Sequence, residues 1–350
     1  MFEFLFFIFS FLLLFLINNI LLKNNFLVEN KSLVIFPHKK FSLDNNSVIP
    51  VSGGVFFCFF LFLIIKINIH LFYYLLTIFI IGLLSDLKFL KSPFYRIILQ
   101  LMATIIFFYF DQNFNIQTRI VFIDYFLNSN AFQIIFVTFC VLILINGFNF
   151  IDGVNLLASL NFLIISIFLN ILFIEYNTVH DNYLIYLSIL IFTFCIYNFY
   201  GKSFLGDGGV YLLSALLAER VIFISSFNTE ISPYYIINIL WYPAFENLFS
   251  IVRRIISNKS ADSPDNFHLH HYLLAYVKKR KLFSKSYIES SFTGIVINLF
   301  ILFIMILATL KIHNTKYQLA ILFINIISYL FLYSYLKSNF SKKKNYFDLL

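Results

Sequence analysis

Charge is what this chain has least of. Only 12% of its 350 residues are Asp, Glu, Lys or Arg, where a soluble domain carries roughly 25%. With 61% hydrophobic residues and a mean hydropathy of +0.87, that shortage excludes a soluble enzyme and points to a polytopic membrane protein. Cysteine is also scarce. Cys58, Cys140 and Cys195 each sit in an apolar run, without CxxC spacing or a nearby His pair, so no disulfide framework is implied and free buried thiols are expected. The start, Met1-Phe2-Glu3, lacks a basic region, and no small-x-small site follows the first apolar run. A retained first span is expected rather than a cleaved signal. No solenoid-type repeat and no strand-rich segment is visible.

What the chain does have is apolar length. Crossing a ~30 Å hydrocarbon core takes about 17–25 residues. The runs 2–22, 51–67, 69–84, 94–110, 132–148, 154–174, 183–199, 209–226, 232–252, 288–310 and 317–336 qualify. The expected fold is all-α: a polytopic integral membrane helix bundle of about eleven transmembrane helices, one domain over 1–350, with a basic tail at 337–350.

Charge placement orients this bundle. Of the 25 Lys and Arg, twenty fall in the loops after odd-numbered spans or in the C-terminal tail. Four (Lys66, Arg119, Lys311 and Lys316) fall on the other side, and Arg220 lies within a span beside Glu219. The positive-inside rule puts the N-terminus outside and the C-terminus in the cytoplasm. The same parity gathers the polar stretches 37–54, 85–96, 146–159, 200–209 and 253–287 on the cytoplasmic face. The outer loops 111–131, 175–182, 227–231 and 311–316 read as simple connectors. Random polar loops would divide between faces, so a cytosol-facing site is expected.

The richest stretch is INGFNFIDGVNLLAS, 145–159, which packs Asn146, Asn149, Asp152 and Asn155 around Gly147 and Gly153. A carboxylate facing lipid is costly, so this cluster must face protein or a watery cavity. In LSDLKFLKSPFYRIILQ, Asp86 ends a span, and Arg96 and Gln100 share one face of the next. Asp86 is either an interfacial charge or a group for metal or phosphate work. In GKSFLGDGGVYLL, Gly206, Gly208 and Gly209 flank Asp207 just before an apolar helix. Such glycines let backbone approach phosphate, the helix N-terminus favours an anion, and Mg²⁺ takes one or two protein oxygens plus substrate phosphates. Alone, the pattern is also that of a turn at a helix start.

In ADSPDNFHLHHYLL, His268, His270 and His271 follow Asp262 and Asp265, with Arg253, Arg254, Lys278 and Lys279 flanking. Histidines that bond phosphate oxygens are favoured over a zinc site, because no Cys is near and the other elements offer oxygen ligands. PVSGG, 50–54, follows the basic His38, Lys39 and Lys40. Glu246, within a span, needs a partner; pairing with Arg253–Arg254 two turns on is the structural expectation, and a role in the site stays open beside it. Together these groups suit Mg²⁺, a diphosphate-containing substrate and a lipid second substrate.

These motifs, in this order over about residues 35–290, resemble the polyprenyl-phosphate N-acetylhexosamine-1-phosphate transferases, the integral-membrane group containing the WecA and MraY enzymes. NGFNFIDGVNLLA is similar to the family's NxxNxxDGxDGLA, LGDGG to GDxGS, HLHH to HxHH, and PAFENLFSIVRR to PxxD…R. PVSGG is similar to the segment before span two, and LLSDLKFLKSPFYRIILQ to the Asp-Asp motif followed by Arg. The resemblance implies transfer of a sugar-1-phosphate from a UDP-N-acetylhexosamine, of GlcNAc type, to undecaprenyl phosphate in a bacterial inner membrane. UMP is released, Mg²⁺ (or Mn²⁺) is required, and cell-envelope polysaccharide or O-antigen synthesis begins. It implies Asn149 and Asp207 as metal ligands, Asp152 and Asn155 for the nucleotide, and Asp86 near the lipid phosphate. His268, His270 and His271 would hold the diphosphate or sugar, making Asp86, Asp207 and the histidines the catalytic set. Asn146, Arg96, Lys39 and Arg253 complete the substrate-binding set. The implied partners are the UDP-sugar, undecaprenyl phosphate and membrane lipid, with a homodimer open and no nucleic acid.

The chain departs from the family at Ser85 (usually Asp), Asn155 (Asp), Leu156 (Gly), Gly209 (Ser) and Asn45 (often His). Ser85 removes a carboxylate. A phosphate monoester, with a second pKa near 6, is nonetheless largely dianionic at pH 7 and can attack without a strong base. Direct attack on the β-phosphate, without a covalent enzyme intermediate, is the expected course. The alternatives are a transporter or lipid flippase, and a family member that Ser85 has inactivated.

Overall fold

The computed structural model describes residues 2–30, 48–64, 68–111, 114–176, 183–258, 265 and 267–341. Lys39 lies outside these residues, as do His38, Lys40, Asn45, Asp262 and the last part of the expected tail, 342–350.

Thirteen helices account for most of the described chain. The first seven are α1 (Phe2–Lys23), α2 (Gly53–Ile64), α3 (Ile69–Asp86), α4 (Pro93–Phe110), α5 (Val121–Leu127), α6 (Asn130–Ile151) and α7 (Leu157–Glu175). Then follow α8 (Tyr183–Phe199), α9 (Gly206–Phe227), α10 (Pro233–Ile256), α11 (Leu269–Arg280), α12 (Ser286–Thr309) and α13 (Thr315–Ser341). Each of the eleven apolar runs contains one of them. A helix satisfies its own backbone polar groups, which is why apolar runs in lipid fold this way. Eight of these helices are long and apolar enough to cross a bilayer, and α8, at 17 residues, is apolar but shorter. α2 has 12 described residues, and α10 carries Pro243 in its interior. The chain is a multi-pass helical membrane protein.

One expectation needs correction. The stretch 111–131 is not a bare connector, because it holds α5. The polar stretch 253–287 contains α11, and α13 carries Lys337 of the expected tail inside a helix. One short strand pair accompanies the helices of this all-α bundle. β1 (Val28–Asn30) pairs antiparallel with β2 (Val48–Pro50), and Val51 then bridges to Phe204. These residues lie outside the apolar runs, where extended backbone still needs partners.

α9 is the axis of the bundle. Residues 206–219 of it are all buried, packed among α2, α3, α6 and α7. Small residues permit its closest crossing: a Cβ at Gly82 of α3 would lie 2.6 Å from Asp207 O and Gly208 Cα. α1 is the opposite case. Only Ser10, Leu14, Asn18 and Leu21 are buried, one stripe at helical spacing, and Ser10 Oγ meets Thr193 Oγ1 of α8 at 2.9 Å. The other faces of α1 are left to lipid.

Loop parity is visible in the packing. At one end, Arg119 Nη1 donates to His313 O and Thr315 Oγ1, and Nη2 to Thr229 O and Glu230 O, tying three connectors together. The polar motifs gather at the other end.

Candidate active site

The N-terminus of α9 organises the site. Residues 50–54 dock onto the strand-like approach to this helix: Phe204 N–H donates to Pro50 O at 2.9 Å, Gly53 N–H to Phe204 O at 3.1 Å, and Ser52 Oγ meets Ser203 Oγ at 2.6 Å. α9 then begins against the end of α3. Asp86 Oδ1 accepts the Asp207 N–H and Oδ2 the Gly208 N–H, both at 2.9 Å. The sequence suggests that this helix start would cradle a substrate phosphate. The anion that holds these two N–H groups is instead the chain's own Asp86, which satisfies orphan amides and complements the helix dipole. Asp86 therefore acts here as a cap supplied by a neighbouring helix.

That cap aims Asp207 into a buried polar cluster. Ser85 Oγ donates to Asp207 Oδ2 at 2.6 Å, and Arg96 Nη1 donates to both Ser85 Oγ and Asp207 Oδ2 at 2.9 Å. One turn along α9, Tyr211 OH accepts from Asn149 Nδ2 of α6 at 3.3 Å. Gln100, one turn after Arg96, accepts from Asn146 Nδ2 at 3.2 Å. Asn146 also donates to Leu142 O, so it stitches α6 to α4.

The break between α6 and α7 forms the second wall. Asp152 caps the end of α6, and Leu156 turns the chain at φ 65°. The turn is braced from outside. Asn198 Oδ1 accepts the Leu156 N–H at 2.7 Å, Ser290 Oγ accepts the Asn155 N–H at 2.9 Å, and Asn298 Nδ2 donates to Leu156 O and Leu157 O. Asn155 is buried within this turn. Gly153 lies against the histidines: a Cβ there would sit 2.7 Å from His270 Nε2 and 3.0 Å from His271 Nε2. A side chain there would force the two imidazoles to shift.

The third wall is the approach to α11. His268 Nδ1 pairs with Glu246 Oε1 of α10 at 2.9 Å. Tyr329 OH of α13 donates to Glu246 Oε2. The expected pairing of Glu246 with Arg253 and Arg254 does not form. Both arginines turn to Asp265, Arg253 through two nitrogens and Arg254 Nε at 3.2 Å, and Ser250 Oγ donates to the same carboxylate at 2.9 Å. Burial opposes the Asp265 charge, but His268, Arg253 and the Phe267 N–H outweigh it and hold its carboxyl well below the usual range. Arg253 is thus occupied by Asp265 rather than presented to a ligand.

The cluster can bind and neutralise phosphate oxygens, and its donors are hard. Among the described residues no three His, Cys, Asp or Glu side chains converge as a metal cage. An amide oxygen at Asn149 and a carboxylate at Asp207 match Mg²⁺, which completes its shell with water and phosphate. Tyr211, Asn198, Ser290, Asn298 and Tyr329 were missed from sequence. Tyr211 follows Asp207 by one helical turn, and Asn198 and Asn298 are polar residues inside apolar spans, which were the available signals.

The sequence pattern of glycosyl transferase family 4 matches residues 68–225. The undecaprenyl-phosphate alpha-N-acetylglucosaminyl 1-phosphate transferase of Thermotoga maritima is 30% identical over 240 residues, 68% of this chain and 72% of that protein. The decaprenyl-phosphate N-acetylglucosaminephosphotransferase of Mycobacterium leprae is 30% identical over 153 residues, 37% of this chain and 38% of that protein. The probable undecaprenyl-phosphate N-acetylglucosaminyl 1-phosphate transferase of Bacillus subtilis is 32% identical over 127 residues. This chain's match covers 36% of the Bacillus protein's length.

Proposed function

The chain belongs to glycosyl transferase family 4, and from that premise we propose that it transfers an N-acetylhexosamine 1-phosphate from a UDP-sugar, of GlcNAc type, to undecaprenyl phosphate. An oxygen of the lipid phosphate bonds to the β-phosphorus of the UDP-sugar. The bond from that phosphorus to the bridging oxygen breaks, UMP leaves with the electron pair, and the lipid carries a diphospho-sugar. The single observation that carries this reading is the convergence on Asp207 of Ser85 and Asp86 from α3 and Arg96 from α4, with Asn149 one turn away at Tyr211.

Asn149 and Asp207 would hold Mg²⁺, or Mn²⁺ in its place. When bound, the ion neutralises and orients phosphate oxygens. Arg96 adds fixed positive charge beside the same carboxylate, His270 and His271 bring ring nitrogens to Gly153, and His268 stands beside them for the diphosphate. Asp152 and Asn155 border the nucleotide. The lipid phosphate is already dianionic in large part at pH 7, so the chain needs no strong base for the attack. An apolar crevice between α6, α9 and α10, lined by Val141, Leu144, Ile222, Ile237 and Leu248, suits the prenyl tail. The charge asymmetry of the loops supports a cytoplasmic site in a bacterial inner membrane, serving envelope polysaccharide or O-antigen synthesis.

The test is release of UMP by the purified chain from UDP-GlcNAc with undecaprenyl phosphate and Mg²⁺, followed by a donor screen read by the mass of the lipid product. Transfer from UDP-GlcNAc is expected, and Asp207→Asn should abolish it without loss of fold. No release with any UDP-sugar would overturn the proposal.

A further inference from the structure

Glu246 is 1% exposed, on a helix that runs through apolar surroundings. Two donors and one imidazole nitrogen converge on it. Oε2 takes the Tyr329 hydroxyl, and Oε1 takes the Leu269 N–H at 3.4 Å and faces His268 Nδ1 at 2.9 Å. An ionised carboxylate only accepts, and both oxygens here already accept from a neighbour, an arrangement that suits a hydrogen on Nδ1. Tyr329 is itself boxed by Phe245 and Phe249, with ring centroids 4.9 and 5.4 Å away. The His268 ring is packed between Phe150 of α6 at 5.3 Å and His270 at 5.4 Å. Its remaining nitrogen, Nε2, lies 3.7 Å from Asp265 Oδ2, outside hydrogen-bond range.

We infer that Glu246 and Tyr329 are positioning residues for His268, fixing its ring so that Nδ1–H points into α10 and Nε2 is the nitrogen offered to the diphosphate. This rests on the transfer reading above. A phosphate oxygen only accepts, so His268 serves it as an Nε2–H donor with both nitrogens protonated. The buried Glu246 charge balances that imidazolium from behind. A carboxylate behind a histidine sets tautomer and orientation in just this way in other sites. Tyr329 keeps the carboxylate from rotating off the ring.

The experiment uses the full chain in lipid nanodiscs with ¹⁵N-labelled histidine, His268 being assigned by its loss in His268→Asn. The wild type is expected to show a protonated Nδ1, with Nε2 also protonated when UDP is added as the probe. Glu246→Gln keeps volume and removes the charge. It is expected to shift His268 to the other tautomer, to lower kcat about 10- to 100-fold and to leave KM for the UDP-sugar within about threefold. Glu246→Asp is expected to recover part of both signals. An unprotonated Nδ1 in the wild type, or unchanged His268 signals and kcat in Glu246→Gln, overturns the inference. If Glu246→Gln fails to fold, Tyr329→Phe carries the comparison. It should shift the Nδ1 signal and lower kcat to a smaller extent, and no change in either overturns the inference. Failure of the wild type to release UMP would sink the transfer reading alone, since the ring protonation is read without turnover.

Discussion

Ser85 Oγ–H donates a hydrogen bond to Asp207 Oδ2 at 2.6 Å while the oxygen accepts one from Arg96 Nη1 at 2.9 Å. A hydroxyl can face both ways, so it joins a cation to an anion without adding charge of its own. Where the resemblance leads one to expect a further carboxylate, Asp207 Oδ2 instead meets a neutral hydroxyl and Arg96, while the Asp86 carboxylate is taken up by the amides of α9. Ser85→Ala should cost about 1.5–3 kcal/mol of stability, the range for a hydrogen bond to a charged group. Ser85→Asp should place two carboxylates against a single arginine, a repulsion that a divalent cation relieves. Its unfolding midpoint should therefore rise more with added Mg²⁺ than that of the wild type. A shift no larger than wild type would count against Asp207 as a metal ligand.

Asp86 holds two amides of α9 with its two oxygens. Asp86→Ala should remove both acceptors, lowering stability by about 0.5–2 kcal/mol, the usual loss for a helix cap. Asp86→Asn retains one acceptor and should lose less. Because the cap also sets where Asp207 points, turnover should fall further in the alanine variant than in the asparagine variant. Thermal unfolding and UMP release, measured side by side, check this order. Equal activity in the two variants would argue that Asp86 meets substrate rather than α9.

Leu156 occupies φ 65° in the turn between α6 and α7. A side chain there costs roughly 1–2 kcal/mol relative to glycine, partly offset because glycine is freer when unfolded. Leu156 is 6% exposed, so its side chain also contributes packing that glycine would lose. Relief of that strain should offset part of the roughly 2–5 kcal/mol lost on truncating a buried leucine, so Leu156→Gly should be clearly less damaging than Leu157→Gly, in the helix beside it, where there is no strain to relieve. Comparison of the two unfolding midpoints is the measurement.

The helices were legible because each apolar run must satisfy its own backbone in lipid, and the loop charges mark alternate connectors. Three kinds of feature were not. Short elements such as α5 and the three-residue strands carry too little periodicity to register. Long-range capping was hidden, since nothing local ties Asp86 to amides 121 and 122 residues away. Partner choice was left open at Glu246. Helical spacing offered Arg253, but Asp265 lies against both arginines, and Glu246 meets His268. Candidate residues were recognisable by type, whereas their pairing was decided by tertiary packing.

Asp265 makes acid sensitivity testable. Its carboxyl is held below the usual range in the folded chain, so its charge favours folding. A depressed folded value stabilises above the unfolded carboxylate value of about 4, and the contribution fades as pH falls through the folded value. Asp265→Asn removes the contribution and leaves Arg253 and Arg254 facing a neutral amide. The stability gap between wild type and Asp265→Asn should be constant from about pH 5 to 7 and shrink below about pH 4. A gap that widened in acid would mean that the arginine pairing does not govern this loop. Since Asp265 stands beside His268, the variant should also loosen the approach to α11, seen as faster proteolysis near residue 265 at neutral pH.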